Sequence, residues 1–166
     1  MGCVITPQEI ADTVVTHLIR QGRQALRENG RCAYRTETGL SCAVGCLLSD
    51  EEVAAIADRG QTSTTLKCLD AGLIPERLSG KAQSDLLAGL QTIHDRADHW
   101  DDLGLTYPAG QAIWALYDQF KLDRTALRDQ LQDYFQGSAR ADADAKPALR
   151  FEIGAGLERG SGQVRP

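Results

Sequence analysis

Three of the chain's five cysteines fall in one short apolar stretch, RCAYRTETGLSCAVGCLLSD from Arg31 to Asp50, together with a tight-turn signal. A thiolate is both a nucleophile and a soft metal ligand, so spacing decides which chemistry is open to it. Cys32, Cys42 and Cys46 follow a C-x9-C-x3-C pattern, and Cys68 or His94 would complete a tetrahedral zinc site. Structural zinc sites usually present C-x2-C knuckles, which are missing here, and alternation of the thiols with Leu and Val suits small buried hydrophobes. The favoured expectation is therefore inert thiols with no metal and no cofactor. A second chemistry would pair Cys42 or Cys46, as nucleophile, with His94 as base and Asp95 as its orienter. A histidine on the flank of an apolar helical face more often packs and hydrogen-bonds, which points away from catalysis. The chain carries no phosphate-binding glycine loop, G-x-S-x-G elbow or H-E-x-x-H helix.

Two charged clusters supply candidate contact residues. Arg20, Arg23 and Arg27 recur at i, i+3 and i+7, on one face of a helix read as continuing to Asn29, with Arg31 and Arg35 beyond. Glu28 and Glu37 interrupt the patch and no aromatic platform accompanies it, so nucleic acid is not the expected partner. Asp98, Asp101 and Asp102 surround Trp100, a cluster that reads either as a solvated helix end or as an aromatic anchor for a protein partner. They lack the Gly-centred spacing of a calcium loop.

The elements that must position these residues read as mainly α. The expected fold is a bundle of about five or six helices with one small β-hairpin and a disordered tail, one domain over 1–137 and the tail over 138–166. Thr6, Pro7 and Glu9 form a capping box for the first helix, with Ile5 stapled onto Ile10. Ile10, Val14 and Leu18 give it a core-facing stripe. Cys32 to Thr36 reads as the first arm of the hairpin, turning at Glu37-Thr38-Gly39 into a second arm from Leu40 that fits a strand or a helix, with Cys42 and Cys46 on one face either way. Ser49 and Glu52 make a second capping box, for a helix over 50–58 that ends at Gly60. Leu66, Leu69 and Leu73 suggest a short helix. Leu86, Leu87, Leu90 and Ile93 form the buried side of one over 80–98. Pro108 opens another, and Asp123 caps the last, which ends near Gly137. Past that point the Ala, Asp, Arg and Gly composition offers little to bury.

The pieces Gln21-Gly22, Cys32-Ala33-Tyr34-Arg35, Gly39, Cys42-Ala43-Val44-Gly45-Cys46, Leu86-Leu87, Leu90-Gln91 and His94-Asp95 stand in an order that resembles a group of small, mostly uncharacterised bacteriophage and prophage-type proteins. The resemblance covers about residues 8 to 100. It implies a phage or mobile-element context and supplies no reaction.

A formal net charge of −5, with 42% apolar and 25% charged residues, belongs to a soluble domain. With no basic-then-apolar leader visible, the expected setting is cytoplasmic. These features favour a non-enzymatic accessory protein that binds a host protein or protein complex, inhibition of a host defence or regulatory complex being one form of that. The alternatives are the cysteine-dependent enzyme and a lipidated effector. The latter rests on Met1-Gly2-Cys3-Val4-Ile5-Thr6, an acylation pattern that would bring the protein to a membrane only inside a eukaryotic cell.

Overall fold

The structure is a computed structural model that describes residues 5–58 and 74–136. The expected Leu66–Leu73 helix, the stop at Gly60, Cys3, Cys68, the acylation pattern and the tail from 138 lie outside the described residues.

Among the described residues five α-helices make the body: α1 (Pro7–Gln21), α2 (Asp50–Asp58), α3 (Lys81–Asp95), α4 (Tyr107–Gln119) and α5 (Thr125–Gln136). The mainly α class read from the periodicity is the class observed. The capping boxes form as their residue types dictate. The Glu9 amide donates to Thr6 Oγ1 at 3.2 Å while the Thr6 amide donates to Glu9 Oε2 at 2.9 Å. Ser49 and Glu52 repeat the exchange at 3.3 and 2.8 Å. Asp123 Oδ1 accepts the Thr125 amide at 2.9 Å and so opens α5.

Packing follows the apolar stripes. Ile10, Val14, Val15 and Leu18 of α1 bury against α3, whose Leu86, Leu87, Leu90 and Ile93 face inward; α3 in turn packs on α4, and α4 on α5. Each fully buried Leu or Ile contributes about 2 kcal/mol of transfer free energy, so this shared core dominates the favourable side of folding. Gln8 ties the two ends of the bundle together, its side-chain oxygen taking the Asp123 amide at 2.8 Å and its amide group reaching the Asp123 carbonyl at 3.1 Å.

Two expectations need correction. α1 stops at Gln21, not Asn29: Gly22 takes the left-handed conformation at φ 65° and returns its amide to Leu18 O at 3.1 Å. Arg23 and Arg27 consequently leave the helix and do not share a face with Arg20. The hairpin is also elsewhere. Strands β1 (Trp100–Asp101) and β2 (Gly104–Leu105) pair antiparallel, whereas 22–49 is an irregular segment with isolated bridges at Leu26–Cys32 and Arg35–Ser41. The hydroxyl of Tyr134 on α5 holds the true hairpin, accepting the Leu105 amide at 2.8 Å and donating to the Leu103 carbonyl at 3.2 Å.

Arg77 closes the segment's far end. It pairs with Glu52 through both nitrogens and donates to the Leu47 carbonyl at 2.9 Å. The Arg77 hydrogen bond holds the Glu52 carboxyl below its ordinary value of 4.5. A carboxylate so lowered stabilises the fold above its unfolded pKa, and that contribution disappears as pH falls through the lowered value. Glu52→Gln is therefore expected to flatten the decline of stability below about pH 4.5, read as urea midpoints across an acid series. A variant that keeps the full wild-type acid slope would remove this pair from the account.

Candidate functional site

The C-terminal turns of α3 carry the most chemically loaded cluster. Gln91, His94 and Asp95 stand at i, i+3 and i+4 and so share one helical face. That face receives the irregular segment, and the thiol it meets is Cys32. Cys32 Sγ lies 3.8 Å from His94 Nδ1, and one atom each of Cys32, His94 and Asp95 falls within a 4.8 Å sphere of the others. The catalytic reading paired His94 with Cys42 or Cys46, and the zinc reading set it with Cys32 as well. The structure instead buries Cys42, whose sulfur takes the Gly45 amide at 3.3 Å, and turns the Cys46 thiol onto the Ala43 carbonyl at 3.2 Å.

Hydrogen-bond supply decides what the cluster can do. The buried Ala25 amide donates to His94 Nε2 at 3.0 Å, so that nitrogen keeps its lone pair, and the ring proton sits on Nδ1, aimed at Asp95 Oδ1 at 2.9 Å. The Gln91 amide group lies among the three side chains, donating to Asp95 Oδ1 at 2.7 Å and to Cys32 Sγ at 3.1 Å. Its nitrogen is also 3.3 Å from Nδ1. The other end of Gln91 accepts the Val44 amide at 3.2 Å. The His94 carbonyl takes both Gln24 Nε2 and the Trp100 indole N–H, each at 2.8 Å.

This wiring suits neither the metal nor the nucleophile reading. A zinc ion on Nδ1 would need the proton on Nε2, where it would meet the Ala25 N–H, and it would need the space that the Gln91 amide fills. A thiol-imidazole-carboxylate relay places the nucleophile and the acid on opposite ring nitrogens, whereas here both approach Nδ1. Contact with Cys42 and burial together push the Cys32 thiol far above its ordinary range, and burial pushes Cys46 up to about 12. Burial opposes a charge on His94, while the Asp95 and Cys32 contacts favour it and carry its pKa above the ordinary value. The Ala25 amide aimed at Nε2 works against that charge and, in the neutral ring, fixes the proton on Nδ1. Asp95 stays ionised: burial raises its pKa, and the His94 and Gln91 hydrogen bonds outweigh that and lower it.

Comparison with protein-family models, with curated proteins and with solved structures gives no match. The site therefore has to be read from its own atoms.

The remaining candidates divide between the interior and the surface. Trp100 is half-buried, its indole bonded to His94 O and its ring edge-on to the His94 ring at 5.7 Å, so it braces the fold. Asp98 is exposed and pairs with Arg96 at 2.6 Å; Asp101 caps the hairpin turn through the Leu103 amide at 2.9 Å; Asp102 is exposed. Arg20 joins Asp12, Thr13, Thr16, His17 and Cys46 on an open groove of about 800 Å³ between α1 and the 38–40 turn. Arg23 and Arg27 project from the segment beyond it. Residues missed from sequence are the glutamines. Gln21 mimics a strand partner, giving Nε2 to the Ser41 carbonyl at 3.0 Å and taking the Ser41 amide at 2.7 Å. The available signal was Gln91's helical spacing to His94 and Asp95.

Held this way, native Cys32 and Cys46, through a suppressed thiolate fraction, and Cys42, through burial, are expected to alkylate at least about a hundredfold more slowly than in urea. Peptide mapping after a timed iodoacetamide pulse reads this for each thiol. Fast labelling of any one of them in the folded protein would restore the enzyme reading.

Proposed function

We propose that this chain is a non-enzymatic accessory protein of phage or mobile-element type that binds a host protein or protein complex, with inhibition of a defence or regulatory assembly as its mode of action. One observation carries the reading. The side chains best suited to chemistry, Cys32, Gln91, His94 and Asp95, spend their polar atoms on one another and on the backbone of the 22–49 segment. What remains for biology is the exterior, where Arg20, Arg23, Arg27, Asp98 and Asp102 are exposed. The resemblance of the motif order to phage-encoded proteins supports the context, and the sparse aromatic content, 5%, favours a protein over a single-stranded nucleic acid as partner.

The test is affinity capture from host lysate with the full chain, followed by reconstitution with the purified partner. A stoichiometric complex that Cys42→Ala still forms is the expected result. Failure to retain any specific partner, together with turnover of a substrate that Cys42→Ala abolishes, would replace this reading with the cysteine-dependent enzyme.

A further inference from the structure

α1 has a second face. Its apolar stripe turns Ile10, Val14 and Leu18 into the core, while Asp12, Thr16 and Arg20, with Thr13 and His17 beside them, repeat every fourth residue away from it. That face forms one wall of the open groove of about 800 Å³, and the 38–40 turn with Cys46 forms the other. From Asp12 to Gln21 the helix rises about 13 Å, the length of about four residues of extended chain.

The polar atoms along this groove are unequally committed. Asp12 is spent: its Oδ1 takes Gln8 Nε2 at 3.0 Å and the Tyr117 hydroxyl at 2.8 Å, and its Oδ2 takes the same Gln8 nitrogen at 3.1 Å. Arg20 is exposed and makes neither an ion pair nor a hydrogen bond among the described residues, whereas Arg35, Arg77, Arg96, Arg124 and Arg128 each pair with an Asp or Glu within 4.0 Å. The uncommitted charge in the groove is therefore positive. His17 Nε2 lies 3.0 Å from the Ser41 carbonyl, which can only accept, so in the neutral ring Nδ1 keeps a lone pair with no partner among the described residues. Thr16 Oγ1 accepts from Gln130 at 3.0 Å and still has its own proton to give.

A guanidinium, a ring-nitrogen acceptor and a hydroxyl donor spaced along one helix face match a carboxylate, a backbone N–H and a backbone carbonyl, the groups that an extended acidic peptide presents. The shape agrees. A small molecule is held by a pocket that encloses most of its surface, and this groove is open along one side. We infer that the groove is the docking site for an extended acidic segment of the protein partner, with a carboxylate of the segment on Arg20, a backbone N–H on His17 Nδ1 and a backbone carbonyl on the Thr16 hydroxyl. The inference rests on the host-partner reading for the source of the segment, and adds where that partner binds and which of its groups are recognised.

Fluorescence anisotropy on the full chain tests it, with a capped, fluorescein-labelled hexapeptide of alternating Glu and Val as the probe. Binding in the range of about 10 µM to about 1 mM is expected, with none for the matched peptide of alternating Lys and Val. Arg20→Ala should weaken it about tenfold, and Lys81→Ala, which removes the same charge from an exposed site on α3, should not. Thr13→Trp keeps Arg20 but fills the groove from an exposed helical position, and should weaken binding as much with unchanged circular dichroism. Absence of binding up to about 1 mM overturns the inference. So does binding that ignores either Arg20→Ala or Thr13→Trp, or that inorganic phosphate displaces as readily as the unlabelled peptide does, which would make Arg20 a site for small anions. The two readings fail separately. A host complex that forms equally well with both variants removes the groove and keeps the host partner, whereas a peptide that binds as described while no host protein is captured keeps the groove and removes that partner.

Discussion

Gly45→Ala is expected to cost about 3 kcal/mol, the upper end of what one inserted methyl does in a packed interior, and to lower the melting temperature by about 10 °C. A Cβ at position 45 would lie 1.8 Å from the Tyr34 carbonyl oxygen and 2.9 Å from its Cα. The atoms in the way are backbone, and that backbone has little room to yield. The Gly45 amide is bonded to Cys42 Sγ at 3.3 Å, and Arg35 spans the carbonyls of Gly45 and Leu48 at 3.4 and 3.0 Å while pairing with Asp50 at 3.0 Å. Two controls isolate the cause. Gly39→Ala meets a strained φ of 83° in open space and should cost only about 1 kcal/mol. Gly89→Ala meets only the end of the Leu116 side chain, at 2.6 Å, which can rotate aside. Urea unfolding followed by circular dichroism ranks the three, and a Gly45→Ala variant no worse than Gly39→Ala would mean that the close approach of Tyr34 is not a feature of the folded chain.

That close approach belongs to the part of the molecule the amino-acid order left hardest to read. The helices announced themselves through local grammar. Thr6 with Glu9 and Ser49 with Glu52 specify their own starts, since both partners lie within four residues, and the Leu86–Ile93 stripe needs only its own period to find the core. The 22–49 segment has no such grammar. Its backbone is satisfied by side chains far along the chain: Val44 by Gln91, Ala25 by His94 and Leu47 by Arg77. Ala25 and Leu26 extended the apolar stripe of α1 on paper, yet the Ala25 amide is spoken for by an imidazole 69 residues away, and Gly22 releases the chain to reach it. Alternation from Leu40 to Leu48 looked like a strand for the same reason. The pattern does mark burial, but not of alternate residues: Ser41 to Gly45 are all buried, in a segment pinned to the core by glutamine and arginine side chains and not by a ladder. At the site, the His94-Asp95 pair was visible as a unit, and Cys32 stood with His94 in the zinc reading, but the catalytic reading gave the pair Cys42 or Cys46 as its thiol. Cys32 reaches it only because the Leu26–Cys32 bridge folds the segment back onto α3.

His94→Leu separates a bracing role from a chemical one. The substitution keeps volume and removes both ring nitrogens, which leaves the Ala25 amide buried without an acceptor and takes from Asp95 the proton it now receives. An unmet buried donor and a stripped carboxylate contact together predict a loss of about 3 kcal/mol. The damage should be concentrated in the 22–49 segment, because α1, α3, α4 and α5 share a core in which the His94 nitrogens take no part. Two readouts follow from that asymmetry. Exchange of the Ala25 amide with deuterium should accelerate by about a hundredfold, and Cys32 and Cys42 should become open to alkylation under conditions where the helices still hold their circular dichroism. His17 serves as the control: it makes one bond, Nε2 to the Ser41 carbonyl at 3.0 Å, and Gln21 already supplies that carbonyl with a second donor. His17→Leu should therefore leave both thiols protected. If His94→Leu did the same, the imidazole would not be what fastens the segment to α3, and the cluster would again need a chemical explanation for bringing Cys32, His94 and Asp95 together.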